Sequence, residues 1–335
     1  MKTGSKIFTI VCCAVGGALL LAACALFVTG MALEGWDFTA LNTARYQTRT
    51  QTFTGIEDID ISYPFADIAV KTDEAAEEIA LSYPVRVDRD GNDLGYTHLT
   101  AEGGLLQLTA KEKPSWGFGF GIGIQVSAPQ VVLTLPATAF GDISIGSDAG
   151  KIAVEGVTCG NLLLSADLGD IEAKDVSCTQ LTATASAGAV AVYGAACEGA
   201  QLTADLGEVR AENVQCGALT CTSQLGSARI ERLQCEKLSV DVETGDIELE
   251  EAAVQSIELS VELGDIDLRQ VDAQELDLAA EMGSIEGTLA GTEEDYTIGV
   301  TANMGSSNIA DRFGGTRTLV AATEMGDITI TFLGA

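Results

Sequence analysis

One glycine recurs every 19 residues through the middle of this chain. Gly150, Gly169, Gly188, Gly207, Gly226, Gly245, Gly264 and Gly283 hold a single phase. The series then loosens, with Gly305 22 residues further on and Gly326 another 21. The tail Gly-Asp-Ile follows at Gly169, Gly245, Gly264 and Gly326, and Gly141-Asp142-Ile143 reads as an earlier copy. A fixed internal period of this length is the mark of a repeat architecture, in which each unit can bury its apolar face only against its neighbours.

The apolar columns identify the unit. Leu168, Leu206, Leu225, Leu263, Met282 and Met325 stand just before the glycine, and Ile171, Val190, Val209, Ile247, Ile266 and Ile285 stand two after it. Further upstream, Leu162, Leu164 and Ala166, or Ile257, Leu259 and Val261, alternate with polar residues. Alternation with period two means a strand with one buried face. Each repeat therefore reads as strand, glycine turn, strand, second turn. Abundant Thr, Val and Ile oppose a helical repeat. Stacked coils lie about 4.8 Å apart, so the run from Gly150 to Gly283 should span about 34 Å. The expected fold class is all-β, a β-solenoid of stacked 19-residue coils preceded by one N-terminal transmembrane helix.

Cysteine keeps the same period. Cys159, Cys178, Cys197, Cys216 and Cys235 are followed in their column by Val254 and Ala273, which marks a small apolar position and predicts an inward stack of thiols. Disulfides between neighbouring coils are the first functional alternative, because stacked Cα atoms fall within the bonding range. Metal thiolates are the second, but neither CxxC-like spacing nor a histidine cluster accompanies the column.

Carboxylates flank the turn glycines. Asp167, Asp205, Glu243, Glu262, Glu281 and Glu324 stand two before them, and Asp142, Asp170, Glu208, Asp246, Asp265 and Asp327 one after. Stacking predicts an acidic ridge, with Asp142, Asp170, Asp205, Glu208, Asp246, Asp265 and Asp327 as candidate calcium ligands, since hard cations need several oxygens. A solvated edge that discourages edge-to-edge pairing is the simpler reading. Paired carboxylates also suggest glycoside hydrolysis, but many equivalent acids on a regular ridge do not provide one acid and one base set apart by environment. His98 is the only histidine and lies outside the repeats; no Walker A sequence occurs. The expectation is a protein without catalytic residues and without a cofactor.

The N-terminus reads as an anchor. Lys2 and Lys6 precede an uncharged run from Ile7 to Leu33, longer than the roughly 20 residues that cross a bilayer. Positive charge before the span and none just after it places residues 1–6 in the cytoplasm and the body outside. Leu21-Ala22-Ala23-Cys24 offers an alternative, lipoprotein processing at Cys24, although the apolar run continues past it. Residues 34–52 read as a polar stalk, 53–140 as irregular coils that cap the solenoid, and 141–335 as the regular repeats. Within the cap, Trp116-Gly117-Phe118-Gly119-Phe120-Gly121-Ile122-Gly123-Ile124 alternates bulky residues with glycine. It is either a strand whose bare face meets another backbone or an exposed flap, with Trp116, Phe118 and Phe120 as binding residues.

Charge excludes some partners. The chain carries 49 acidic and 18 basic residues, a net charge of −31, which disfavours nucleic acid and polybasic contact with anionic lipid.

The strands Ile56–Ile61 and Asp67-Ile68-Ala69-Val70, the run Val131-Val132-Leu133-Thr134-Leu135-Pro136 and the recurring Gly-Asp-Ile turns together resemble the bacterial DUF4097 family of adhesin-like β-strand-repeat proteins. The single span and the step Gly35-Trp36-Asp37-Phe38 look like its membrane-bound members. The resemblance implies a β-solenoid and an envelope location and transfers no catalytic residue. The functional expectation is a single-pass bacterial membrane protein with an extracytoplasmic scaffold or adhesin-like binding module, meeting a surface protein or glycan. The alternatives are an envelope sensory protein acting through a partner, and a polysaccharide-acting β-helix enzyme.

Overall fold

The computed structural model describes residues 45–88, 90–111 and 130–334. The predicted span 7–33, Cys24, and the aromatic segment with Trp116, Phe118 and Phe120 lie outside the described residues. Among the described residues, no helix is long and apolar enough to cross a membrane. The chain divides into two compact units, Thr48–Val85 with Gly95–Ala335, and Met1–Gln47 with Arg86–Leu94. In the smaller one, Asp88 Oδ1 closes a tight turn by accepting the N–H groups of Asp90 and Asn92 at 2.9 and 2.8 Å.

The larger unit is a solenoid whose regular coils each have one long and one short strand. Thr158–Leu168 and Ile171–Lys174 make one coil, Ser177–Ala187 and Val190–Tyr193 the next. Long strands stack in parallel in one sheet, with Leu162 beside Leu181, and short strands in the other, with Ile171 beside Val190. The same register continues to Ile266–Met282, so residues 19 apart are lateral neighbours. Inward side chains of the two sheets fill the core. Leu162, Leu164, Ala166, Ile171 and Ala173 are all fully buried. Each Leu or Ile so placed stabilises the fold by about 1.5–3 kcal/mol relative to exposure.

The second turn carries a column that the sequence pattern hides. Gly156, Asp175, Gly194, Asn213, Arg232, Glu251 and Gln270 are 19 apart, and all have φ between 50° and 71°. Glycine, Asp and Asn tolerate that left-handed conformation, whereas Arg232, Glu251 and Gln270 adopt it only because the turn is imposed from both sides.

Coil order departs from chain order at both ends. Asp58–Ser62 lies between Leu105–Ala110 and Ala139–Ala149, and Asp67–Asp73 lies between Gln130–Pro136 and Ile152–Glu155. The chain builds one coil, adds the next on its outer side, and returns to continue on its inner side. Antiparallel strands then cover the outermost coil: Ile79–Val87 along Gln130–Pro136 and Thr97–Glu102 along Leu105–Ala110. They blunt an otherwise open parallel edge. Residues 45–52, part of the predicted stalk, form strand with Phe53. Thr50 and Gln51 hydrogen-bond Ser82 and Tyr83 there. At the other end Arg317–Met325 sits between Ile266–Met282 and Tyr296–Met304. The glycine series loosens for this reason, because Gly326 stacks on Gly283 and Gly305 on Gly326.

One reading of the repeat is corrected here. Gly141-Asp142-Ile143 is not a turn. Asp142 and Ile143 lie inside Ala139–Ala149, in register with Asn161 and Leu162. The residue that underlies Gly150 in the turn column is Ala66.

Candidate functional site

The glycine corner is where coils approach most closely. A Cβ on Gly169, Gly188, Gly207 or Gly226 would sit 2.1–2.2 Å from the carbonyl oxygen of the preceding turn residue. Only glycine lets the backbones stack there. The glycine N–H donates to the next coil, as from Gly169 to Ala187 O at 3.0 Å, and so does the N–H two residues on, from Ile171 to Ala189 O at 2.9 Å. The N–H between them points back along the axis, where no backbone carbonyl meets it.

Aspartate supplies the missing acceptor. Asp67 Oδ1 accepts from Lys151 N at 2.9 Å, Asp170 Oδ1 from Ala189 N at 2.9 Å, and Asp265 Oδ1 from Ser284 N at 2.7 Å. Asp327 Oδ1 accepts from both the N–H and the hydroxyl of Ser306, at 2.7 and 2.8 Å. Serine serves as well: Ser227 Oγ accepts from Asp246 N at 3.1 Å. A side-chain oxygen one carbon from Cβ reaches the N–H of the neighbouring coil. The recurrent Gly-Asp-Ile is thus a structural signature: glycine for close stacking, Asp for the orphan N–H, Ile for the core. The two hydrogen bonds from Ser306 hold the Asp327 carboxyl below its ordinary value.

The predicted ridge resolves into separate columns. Asp170, Glu208, Asp246, Asp265 and Asp327 share the column after the glycine, and all are exposed. Asp205 belongs to the column two before it. Asp142 is in neither; its carboxylate accepts from Asn161 Nδ2 at 2.7 Å on the outward face of the long-strand sheet. Ala189, Ser227 and Ser284 interrupt the column, so its carboxylates lie one or two strand spacings apart, about 4.8 or 9.6 Å, along a line rather than around a point. Four of them already spend Oδ1 on a backbone N–H. The column therefore does not fit the converging oxygen shell of calcium, and among the described residues no group of three or more His, Cys, Asp or Glu is arranged to hold a metal ion. His98 is exposed on Thr97–Glu102, where it pairs with Thr109.

Between the acidic columns runs an apolar one. Leu168, Leu206, Leu225, Leu263, Met282 and Met325 are 42–61% exposed. Register aligns them coil upon coil, with Ala187 and Thr244 filling the gaps and Met304 extending the line. Leu168 keeps the parity of the buried Leu162, Leu164 and Ala166. It falls at the corner where the chain turns, beyond the last core position, so no opposing strand covers it. Strand parity in the sequence therefore groups this column with the core, and the turn takes it out.

Basic residues other than Lys151 gather elsewhere. Arg229 Nε meets Glu231 Oε1 at 2.7 Å and Arg229 Nη1 meets Glu248 Oε2 at 3.2 Å on the outward face of the short-strand sheet, and Lys151 reaches from the edge column to Glu172. The Arg229 hydrogen bond lowers the Glu231 pKa. Among the described residues, no carboxylate of the two edge columns is in an ion pair. The edge is an exposed apolar stripe between columns that are mainly acidic, with Lys151 the one basic residue in the column after the glycine among the described residues.

Parallel two-strand coils with a glycine corner define a two-sheet β-solenoid. The chain belongs to the Toastrack DUF4097 family, which matches residues 56–224 and 202–333. Three solved structures are similar to it. A "putative adhesin" from Bacteroides fragilis is 16% identical, with 86% of this chain and 97% of that one covered and a TM-score of 0.43. A "putative lipid binding protein" from Parabacteroides distasonis is 15% identical over the same shares, with a TM-score of 0.40. A "putative adhesin" from Parabacteroides merdae is 14% identical, covering 86% and 96%, with a TM-score of 0.36. No protein of curated function matches the sequence.

Proposed function

We propose that this protein is a membrane-anchored, extracytoplasmic binding module that meets a protein partner along its glycine edge. The observation that carries the reading is the exposed Leu and Met column held in register between two acidic columns. Contiguous exposed apolar surface bordered by polar residues marks interaction sites on soluble folds. A rigid column of Leu and Met offers no aromatic platform for a sugar ring, which favours protein over glycan. The flanking carboxylates select a basic amphipathic segment, disfavour a second copy of the same edge, and speed association at low salt. The charge step around residues 7–33 supports the anchor and the outward body.

Two measurements test this. A strand-length peptide of alternating Leu and Lys should bind the full chain in detergent, more weakly as salt rises. The double variant Leu206→Asp, Leu225→Asp should lose that binding while keeping its melting temperature. Equal binding of a Leu and Glu peptide, or no effect of the variant, overturns the edge as the site. Protease added to intact cells should remove the body, and full protection would overturn the outward orientation.

A further inference from the structure

The five cysteines of the long-strand sheet form an unbroken column. Cys159 lies beside Cys178, Cys178 beside Cys197, Cys197 beside Cys216 and Cys216 beside Cys235. Phe140 closes the column at one end and Val254 at the other. Lateral neighbours in a parallel sheet are about 4.8 Å apart, and disulfides join Cα atoms about 4.4–6.8 Å apart. Every thiol here is therefore within bonding reach of the next, and the three central ones have a choice of two partners.

Access is uneven. Cys159, Cys178 and Cys216 are buried, whereas Cys197 and Cys235 are partly exposed. Cys221 is fully buried in a different column, beside Leu202 and Val240, with no thiol in register. Burial pushes the Cys159 thiol up to about 11 and that of Cys221 up to about 12. Cys197 and Cys235 are different: hydrogen bonds from Cys178 and Cys216 hold Cys197, and one from Cys216 holds Cys235, below the ordinary thiol value. The two thiols that ionise most readily are thus also the two that solvent can reach, and Cys197 has a thiol neighbour on either side.

We propose that this column is a thiol–disulfide exchange site that accepts oxidising equivalents from a low-molecular-weight disulfide and moves them between adjacent coils. The Cys197 thiolate attacks one sulfur of the external disulfide, forms a mixed disulfide and releases one thiolate. Cys178 or Cys216 then loses its proton to solvent and attacks the Cys197 sulfur, releasing the second thiolate. The protein gains one disulfide for two thiols lost, and the external disulfide is reduced to two thiols. A second turnover gives two bridges. Because five is odd, one thiol always remains beside a bridge. Its attack on the neighbouring sulfur shifts that bridge by one coil without any change in oxidation state.

The test uses the full chain in detergent, oxidised glutathione as the probe, and non-reducing peptide mapping by mass spectrometry. Bridges should join only cysteines 19 residues apart, and all four neighbour pairs should be represented. Cys221 should remain a free thiol and serves as the internal control. Persistent glutathione adducts at Cys197 or Cys235, bridges between separate chains, the absence of oxidation, or a bridge fixed at one pair would each overturn the proposal. A Cys197→Ala variant is compatible with the column, which holds Ala273 further along. It should confine bridges to Cys159–Cys178 and Cys216–Cys235, with slower uptake; any bridge that still passes position 197 overturns the relay.

Discussion

The carboxylate of Asp246 accepts the backbone N–H of Asp265 at 2.9 Å, one coil further along the axis. Asp265 does the same for Ser284 at 2.7 Å. A ladder of this kind ties coil to coil through side chains at a corner where the backbone ladder skips an N–H. Asp265→Ala leaves the Ser284 N–H to solvent and should destabilise by about 1 kcal/mol. Asp265→Asn keeps an acceptor oxygen and should fall within about 0.5 kcal/mol of the parent. Urea unfolding of the two variants separates a structural from a merely solvated carboxylate, and equal losses would contradict the ladder.

Asp327 makes the same contact near the C-terminus, and its folded pKa lies below the ordinary 3.8. A carboxyl whose folded value is depressed contributes stability that is fully present above its unfolded value and is lost as pH falls through the folded value. The coil that contains Ser306 should therefore loosen below about pH 3.8. Amide exchange of Ser306 followed from pH 6 downward should show it. Asp327→Asn should remove the pH dependence of that amide.

The two turns respond oppositely to glycine. Glu251 adopts φ of 54° on an exposed turn, so Glu251→Gly should stabilise by about 0.5–1 kcal/mol after the added freedom of the unfolded chain is subtracted. At the other turn, a Cβ on Gly207 would lie 2.1 Å from Gly188 O, so Gly207→Ala should destabilise by about 3 kcal/mol. Thermal melts read both signs, and a gain from Gly207→Ala would show that the coils are not packed backbone to backbone there.

The solvent exposure of the Leu and Met column has a direct consequence. Leu206→Ser should change stability by no more than about 0.5 kcal/mol. Leu202→Ala, four residues earlier on the same strand and fully buried, should cost about 3 kcal/mol. Comparable losses at the two positions would put Leu206 in the core and remove the basis for an edge binding site.

Much of the core was legible in the sequence. Leu162, Leu164, Ala166 and Ile171 declare an inward face by alternation alone, and the cysteine column was legible because Val254 and Ala273 share its place. The edge was less so. Leu168 has inward parity and only the turn exposes it, so period two assigns it to the core. The left-handed column escaped because Arg232, Glu251 and Gln270 show no preference for that conformation, and only Gly156, Gly194, Asp175 and Asn213 hint at it. Asp142 was misplaced because a Gly-Asp-Ile triplet can occur within a strand, where Gly141 makes room for the Asp58 carboxylate rather than for a stacked turn.

The sequence by itself determined the coil. Its 19-residue period, its glycine corner and its alternating strands are local properties, repeated until each is unambiguous. Only the tertiary structure decided which coil lies on which. Every coil presents nearly the same ladder of N–H and C=O groups to its neighbour, so pairing alone does not rank the possible orders. The ends are ranked by what covers the last open edge. Antiparallel strands close the coil built from Leu105–Ala110 and Gln130–Pro136, and at the other end Arg317–Met325 is threaded beneath Tyr296–Met304. These are non-local choices, settled by side-chain packing between segments far apart in the chain, and no repeat records them.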